Sequence, residues 1–229
     1  MKLKEVGQFI LGKDEYRHKD LNAIQELDRS FVMAAKCRFL ASARLKHIGI
    51  FASRTTIILS LGLIFIPLMQ IAGLHLSFPE RLLNVLQIFL AISVLVYSVI
   101  NSQARYSVRS EKLNQCGDKI KELQRELSYR IKNNDNPIYS EFHKRYVDIE
   151  VDAENHSRLD YQFARLDLIS IYHLSGLRRL VVLVIAYFRK ATTFLGPAAM
   201  FLIVFTIILD ILKIWTPLSN ILVPLMPEG

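Results

Sequence analysis

Two stretches of this chain, residues 55–76 and 82–100, hold no Asp, Glu, Lys or Arg at all. That absence excludes an ordinary water-soluble surface for either stretch. About 20 mostly apolar residues, rising about 1.5 Å each, cross a hydrocarbon core of about 30 Å. Inside a bilayer every backbone amide must be bonded within its own segment, so both stretches are read as transmembrane helices. The five residues Ser77-Phe-Pro-Glu-Arg81 join them into a hairpin, and Pro79 suits its tip because it cannot continue a helix.

Other absences narrow the chemistry. There are only two cysteines, Cys37 and Cys116, and neither lies in a C-x-x-C pair. Both fall in segments assigned to the cytoplasm, where thiols stay reduced, so no structural disulfide is expected. None of the six histidines (His18, His47, His75, His143, His156, His173) pairs with another at the i, i+4 spacing of a helical metal site. No G-x-G-x-x-G, no G-K-[ST] loop and no nucleophile elbow is present. No catalytic residue, metal or cofactor is therefore expected. Met1-Lys-Leu-Lys-Glu5 opens with charge, and Glu5, Asp14 and Glu15 interrupt any apolar core, so no signal peptide is expected.

What is present is basic charge, unevenly placed. Residues 1–54 carry eleven Lys and Arg against six Asp and Glu, and residues 105–190 carry sixteen against twelve. The hairpin is neutral. Positive flanks stay on the cytoplasmic side, so Arg44, Lys46 and Arg54 before the first span, and Arg105, Arg109 and Lys112 after the second, place both flanks inside and the tip outside. The same excess suits anionic headgroups. The absence of a basic-aromatic patch argues against direct nucleic-acid binding.

The expected fold is an all-α membrane protein. A transmembrane hairpin (residues 55–100) is extended by an N-terminal helical segment (1–54) and a helical region (101–190), both cytoplasmic. A third transmembrane helix is expected at 191–215, with an irregular Pro-rich tail at 216–229. Asp20 is a candidate cap for a helix reaching His47 and running on into the first span. Leu21, Ile24, Leu27, Phe31, Ala34 and Arg38 form its stripe. Leu113, Cys116, Ile120, Leu123 and Leu127 step by three and four, a heptad seam that suits packing within the chain or between chains. Asn136 and Pro137 read as the cap and first residue of a further helix reaching Ala153. Leu180–Phe188 is apolar but too short to span, which suits the membrane interface.

Within the spans the polar residues share faces. Asn84, Gln87, Ser98 and Asn101 lie on one side of the second helix, and Thr56, Ser60 and Gln70 on one side of the first. Such faces either pack helix on helix or line water. Asp210, the one acid in the third apolar segment, lies three residues from Lys213 and near Trp215, which favours a place at the interface.

Three segments are more specific than their periodicity: Asn101–Cys116 with Glu111-Lys112-Leu113 and Cys116, the run Tyr139–Tyr146, and Glu154-Asn155-His156 followed by Asp160-Tyr161. Together with the hairpin, over about residues 25–170, the chain resembles the SLATT family, the SMODS and SLOG-associating two-transmembrane effectors of prokaryotic conflict systems. The resemblance implies an inner-membrane effector that is not an enzyme. It would form a homo-oligomer and permeabilise the membrane in antiviral defence by abortive infection. Its trigger would come from a cytoplasmic sensor such as a nucleotide-producing enzyme or a reverse transcriptase. The alternative is a membrane anchor that makes no pore and recruits an enzyme through its cytoplasmic helices. A metabolic transporter is disfavoured by the absence of a repeat.

Overall fold

The computed structural model describes residues 14–16, 21–73, 78–151, 153–169, 171–174, 176–211 and 213–222. Its elements run β1 (Asp14–Tyr16), α1 (Ala23–Ile71), α2 (Glu80–Ala104), α3 (Tyr106–Lys132), α4 (Tyr139–Glu150), α5 (Arg158–Asp167), β2 (Tyr172–Leu174), α6 (Gly176–Thr192), α7 (Leu195–Ile211) and α8 (Pro217–Leu222). Among the described residues the fold is all-α apart from one antiparallel ladder of three residues a side, with Glu15 opposite His173. Two compact units form, one from Met1–His47 with Tyr106–Thr192, the other from Ile48–Arg105 with Thr193–Gly229.

α1 is a single helix of 49 residues that serves both units. Residues 21–22 precede it, and the Gln25 side chain accepts from the Asn22 backbone N–H at 3.3 Å, half of a capping box. Asp20, the expected cap, lies outside the described residues. In the first unit α1 buries Leu27, Phe31 and Ala35 against Cys116, Ile120, Leu123 and Leu127 of α3 and Phe142 of α4. Leu113 packs with Ala41 and Leu45. The heptad seam is thus consumed inside the chain. The helices approach closely at Gly117, where an added Cβ would lie 2.9 Å from the Phe39 ring.

The end of α3 is a Schellman turn. Asn134 is left-handed (φ 56), Asp135 N donates to Arg130 O, and Asn134 N donates to Ile131 O. Asn136 is left-handed as well (φ 47), so it does not cap a helix. α4 begins at Tyr139 and ends at Glu150, shorter at both ends than the 137–153 expected. α5 carries a complete capping box from Ser157 to Asp160. It buries Leu166 against Ala186 of α6, with Leu159, Phe163 and Val182 alongside.

In the second unit the hairpin helices α1 and α2 pack with α7. Leu59 and Ile66 meet Leu83 and Leu90 of α2 and Val204, Ile207 and Ile211 of α7. At Gly62 an added Cβ would stand 3.1 Å from Val204. The outer faces are apolar and uncovered: Ile57, Leu61, Ile64, Leu68 and Ile71 on α1, and Val85, Ile88, Ile92, Leu95 and Val99 on α2. Only 28 % and 11 % of the two most apolar windows are buried, whereas the core helix of a soluble protein would be mostly buried. These are helices with a lipid-facing side.

Four expectations are revised in this unit. α1 ends at Ile71 in a turn through Ala72 and Gly73, short of residue 76, and residues 74–77 lie outside the described set. The second span does lead toward α3, but Arg105 alone is left-handed (φ 45, ψ 41) and separates the two helices. The third apolar helix is short, 17 residues, with Pro197 in its first turn, where a missing N–H is tolerated. Residues 217–222, expected to be irregular, form α8, and residues 223–229 lie outside the described set. Pro217 starts α8, and Asp210 accepts the Leu218 backbone N–H at 2.7 Å. Asp210 is fully buried within the protein, and Lys213 beyond it is exposed and left-handed.

Candidate functional site

Two polar constellations are candidates, one in each unit. In the hairpin unit, Gln70 of α1 donates through Nε2 to Asn84 Oδ1 at 3.2 Å. Gln87 Nε2 donates to Gln70 Oε1 at 2.6 Å. Gln70 therefore bridges two residues one turn apart on α2. Asn84 is exposed, and its amide nitrogen has no hydrogen-bond partner among the described residues. The rest of the expected polar faces behaves differently. Thr56 and Ser60 donate back to the carbonyls of Ala52 and Thr56 on their own helix. Ser98 is exposed and Asn101 half-buried. Fourteen residues along α2 from Gln87, Asn101 stands on the order of 20 Å away.

The first unit holds an arginine–carboxylate clasp. Arg38, 3 % exposed, donates through Nη2 to Glu150 at 2.8 Å and through Nη1 to the carbonyl of Glu154. Tyr146 donates its hydroxyl to the same Glu150 oxygen at 2.7 Å. Arg44, two turns along α1, forks onto Asp160 at 2.9 and 3.0 Å. Asp160 also receives the Ser157 backbone N–H and hydroxyl at 2.9 and 2.7 Å and is 2 % exposed. Arg109 of α3 forks onto the Glu154 carboxylate at 2.8 and 3.1 Å. Beside it, Ser110 donates to the Ser42 carbonyl at 2.9 Å, joining α3 to α1. The segment from Glu150 to Asp160 is thus pinned to α1 and α3 by three arginines.

The residues carrying the family resemblance divide by role. Leu113 and Cys116 are core, and Cys116 donates its thiol to the Ile149 carbonyl at 3.8 Å. Glu111 accepts from Gln115 on the exposed face of α3. Lys112 lines a groove with Gln115, Lys119 and Ala153. Glu154 and Asp160 are clasp acceptors. Asn155 accepts the His156 backbone N–H. Tyr161 is half-buried with the Arg165 guanidinium over its ring. Desolvation first, and the Arg38 charge second, hold the His156 imidazole below its ordinary range. Burial, with Asp160 adding, pushes the Cys37 thiol up to about 12, so it stays protonated and unreactive.

The clasp carboxylates accept from guanidinium, hydroxyl and backbone N–H donors, an arrangement that holds elements together. Among the described residues no three His, Cys, Asp or Glu side chains gather as a metal-ligand set. Sequence reasoning registered Arg38 only as part of an apolar stripe, and Arg44 and Arg109 only as flanking charge. A buried stripe position filled by arginine was the signal that a carboxylate must face it.

No curated protein and no solved structure matches the chain. A family model does, over residues 20–210. The match extends beyond the 25–170 of the resemblance and takes in α6 and α7, so the C-terminal apolar helix lies within the matched region. With five-sixths of its length matched, the chain belongs to the SMODS and SLOG-associating 2TM effector domain family 5.

Proposed function

We propose that this chain is an inner-membrane effector that assembles with copies of itself and permeabilises the bilayer when a cytoplasmic sensor signals infection. Family membership supports the effector role and the association with a sensing system. The observation that carries the pore reading is Asn84. It is exposed beside the uncovered apolar side of α2, and its oxygen, not its amide nitrogen, is taken up by Gln70. A donor in hydrocarbon needs a partner, and a neighbouring copy or a water-filled lumen supplies one. The positive flanks orient both termini of the hairpin toward the cytoplasm, with the first unit on that side. There the clasp holds the helices between the spans and any sensor, whether a nucleotide-producing enzyme or a reverse transcriptase. Abortive infection is the expected consequence for the cell.

The test is membrane potential, followed with a voltage-sensitive dye in cells expressing the chain alone or with its neighbouring sensor. Depolarisation that is lost in the Asn84→Leu/Gln87→Leu variant, at equal membrane insertion, supports the pore. Unchanged depolarisation removes these residues from it.

A second reading has its own support. Gln70 and Gln87 satisfy each other within one chain at 2.6 Å, which is what a simple anchor requires. Replacing the hairpin by an unrelated one separates the two, because an anchor keeps its function and a pore does not.

A further inference from the structure

We propose that α6 is an in-plane membrane helix that lies on the anionic surface of the inner leaflet. Its two sides differ sharply. Val182 and Ala186 pack on α5, with the Tyr187 ring edge-on to Phe163 at 5.5 Å. At 100° per residue, Leu177, Leu180, Val181, Val184 and Phe188 fall on the opposite side. All five are exposed, Phe188 by 71 %. A soluble helix does not leave such a stripe in water.

Charge identifies the occupant. α6 contains no acidic residue, with Arg178 and Arg179 in its first turn and Arg189 and Lys190 in its last. Arg179 is exposed, and Lys190 reaches over the Phe163 ring of α5 at 5.8 Å, on the side away from the stripe. That leaves the apolar stripe free to enter the headgroup and acyl boundary while the basic ends of the helix meet anionic headgroups. At 17 residues in all, with nine between Arg179 and Arg189, α6 suits lying flat better than crossing.

The test uses full-length protein reconstituted in vesicles of mixed phosphatidylcholine and phosphatidylglycerol. Val184→Cys is labelled with bimane. Cys37 and Cys116 are buried, so the unsubstituted chain supplies the background. Lys144→Cys, on the exposed face of α4, is the aqueous control. The label at 184 is expected to be quenched by lipid brominated in its acyl chains and to show iodide quenching reduced about threefold relative to 144. In pure phosphatidylcholine its iodide quenching should rise toward that of 144. Full iodide access in the mixed vesicles overturns the proposal. So does protection from both iodide and brominated lipid, which would mean that protein covers the stripe. Indifference to headgroup charge overturns the anionic-surface part. None of these outcomes depends on whether the hairpin forms a pore, so the inference and the pore reading fail separately.

Discussion

Removing the Asp160 carboxylate should loosen α5 far more than its small size suggests. The group accepts four hydrogen bonds, two from the Arg44 fork and two from Ser157. Asp160→Ala deletes all of them. Losing the capping box costs about 1 kcal/mol. Breaking a buried ion pair costs about 3–5 kcal/mol, and Arg44 keeps one-fifth of its surface in water, which places this pair at the low end. The sum is about 4 kcal/mol. At about 1.4 kcal/mol per factor of ten, α5 should open about 10³-fold more often. Hydrogen exchange of the peptide covering residues 158–167, in nanodiscs, reads that opening directly. Asp160→Asn separates the contributions, because it keeps an acceptor for Ser157 while removing the charge. Arg44→Ala combined with Asp160→Ala should cost less than the sum of the two single changes by about 2 kcal/mol. A change of less than tenfold in Asp160→Ala, or strict additivity in the cycle, would refute the clasp.

Two further outcomes are expected in the same unit. Gly117→Ala drives a methyl to 2.9 Å from the Phe39 ring and should lower the thermal midpoint in detergent, by an overpacking cost of about 1–3 kcal/mol, while Gly117→Ser should do no better. Acid should weaken this unit through His156. Its folded pKa lies below the ordinary 6.5, so both states are neutral above that value, and as pH falls below it the unfolded chain takes up the proton first. Stability therefore drops with pH below about 6.5 and levels off once the folded imidazole also titrates. His156→Phe should flatten that part of a urea-unfolding profile measured against pH, and an unchanged slope would assign it elsewhere.

The helices were legible because their signals are large and local. Two charge-free runs of about 20 residues are long and apolar enough to cross a bilayer, and the step of Leu113, Cys116, Ile120, Leu123 and Leu127 marks one buried face. What that seam packs against was not legible, since a heptad face reads the same whether its partner is the same chain or another. The structure answers with Leu27 and Phe31 of α1. The break at Arg105 left no trace either. Arginine is a good helix former and neither glycine nor proline stands near, so a left-handed residue there, costing about 1–2 kcal/mol, has no local cause in the sequence. Asn136-Pro137 misled for the opposite reason. The pair is a strong start signal, but the Schellman turn closing α3 already uses Asn134, and the chain needs two more extended residues before α4 can begin.

The polar residues divide along the same line. That Asn84 and Gln87 share one side of their helix follows from helical spacing alone. That Gln70 bridges the other two depends on the rotation and height of one helix against the other, which spacing does not contain. The clasp is more remote still, since Arg38 and Glu154 are 116 residues apart and Arg44 and Asp160 are equally distant. Yet its logic was latent in one position. An arginine in a buried stripe cannot be left without a countercharge, because the desolvation of a lone guanidinium exceeds what its packing returns. The acids able to answer it had to come from a segment that folds back onto α1, and the sequence between Glu150 and Asp160 is rich in them. A charge in the wrong place for a helix is therefore a prediction about distant sequence, and here it marks the contact through which α4 and α5 are held on the helix that continues into the first span.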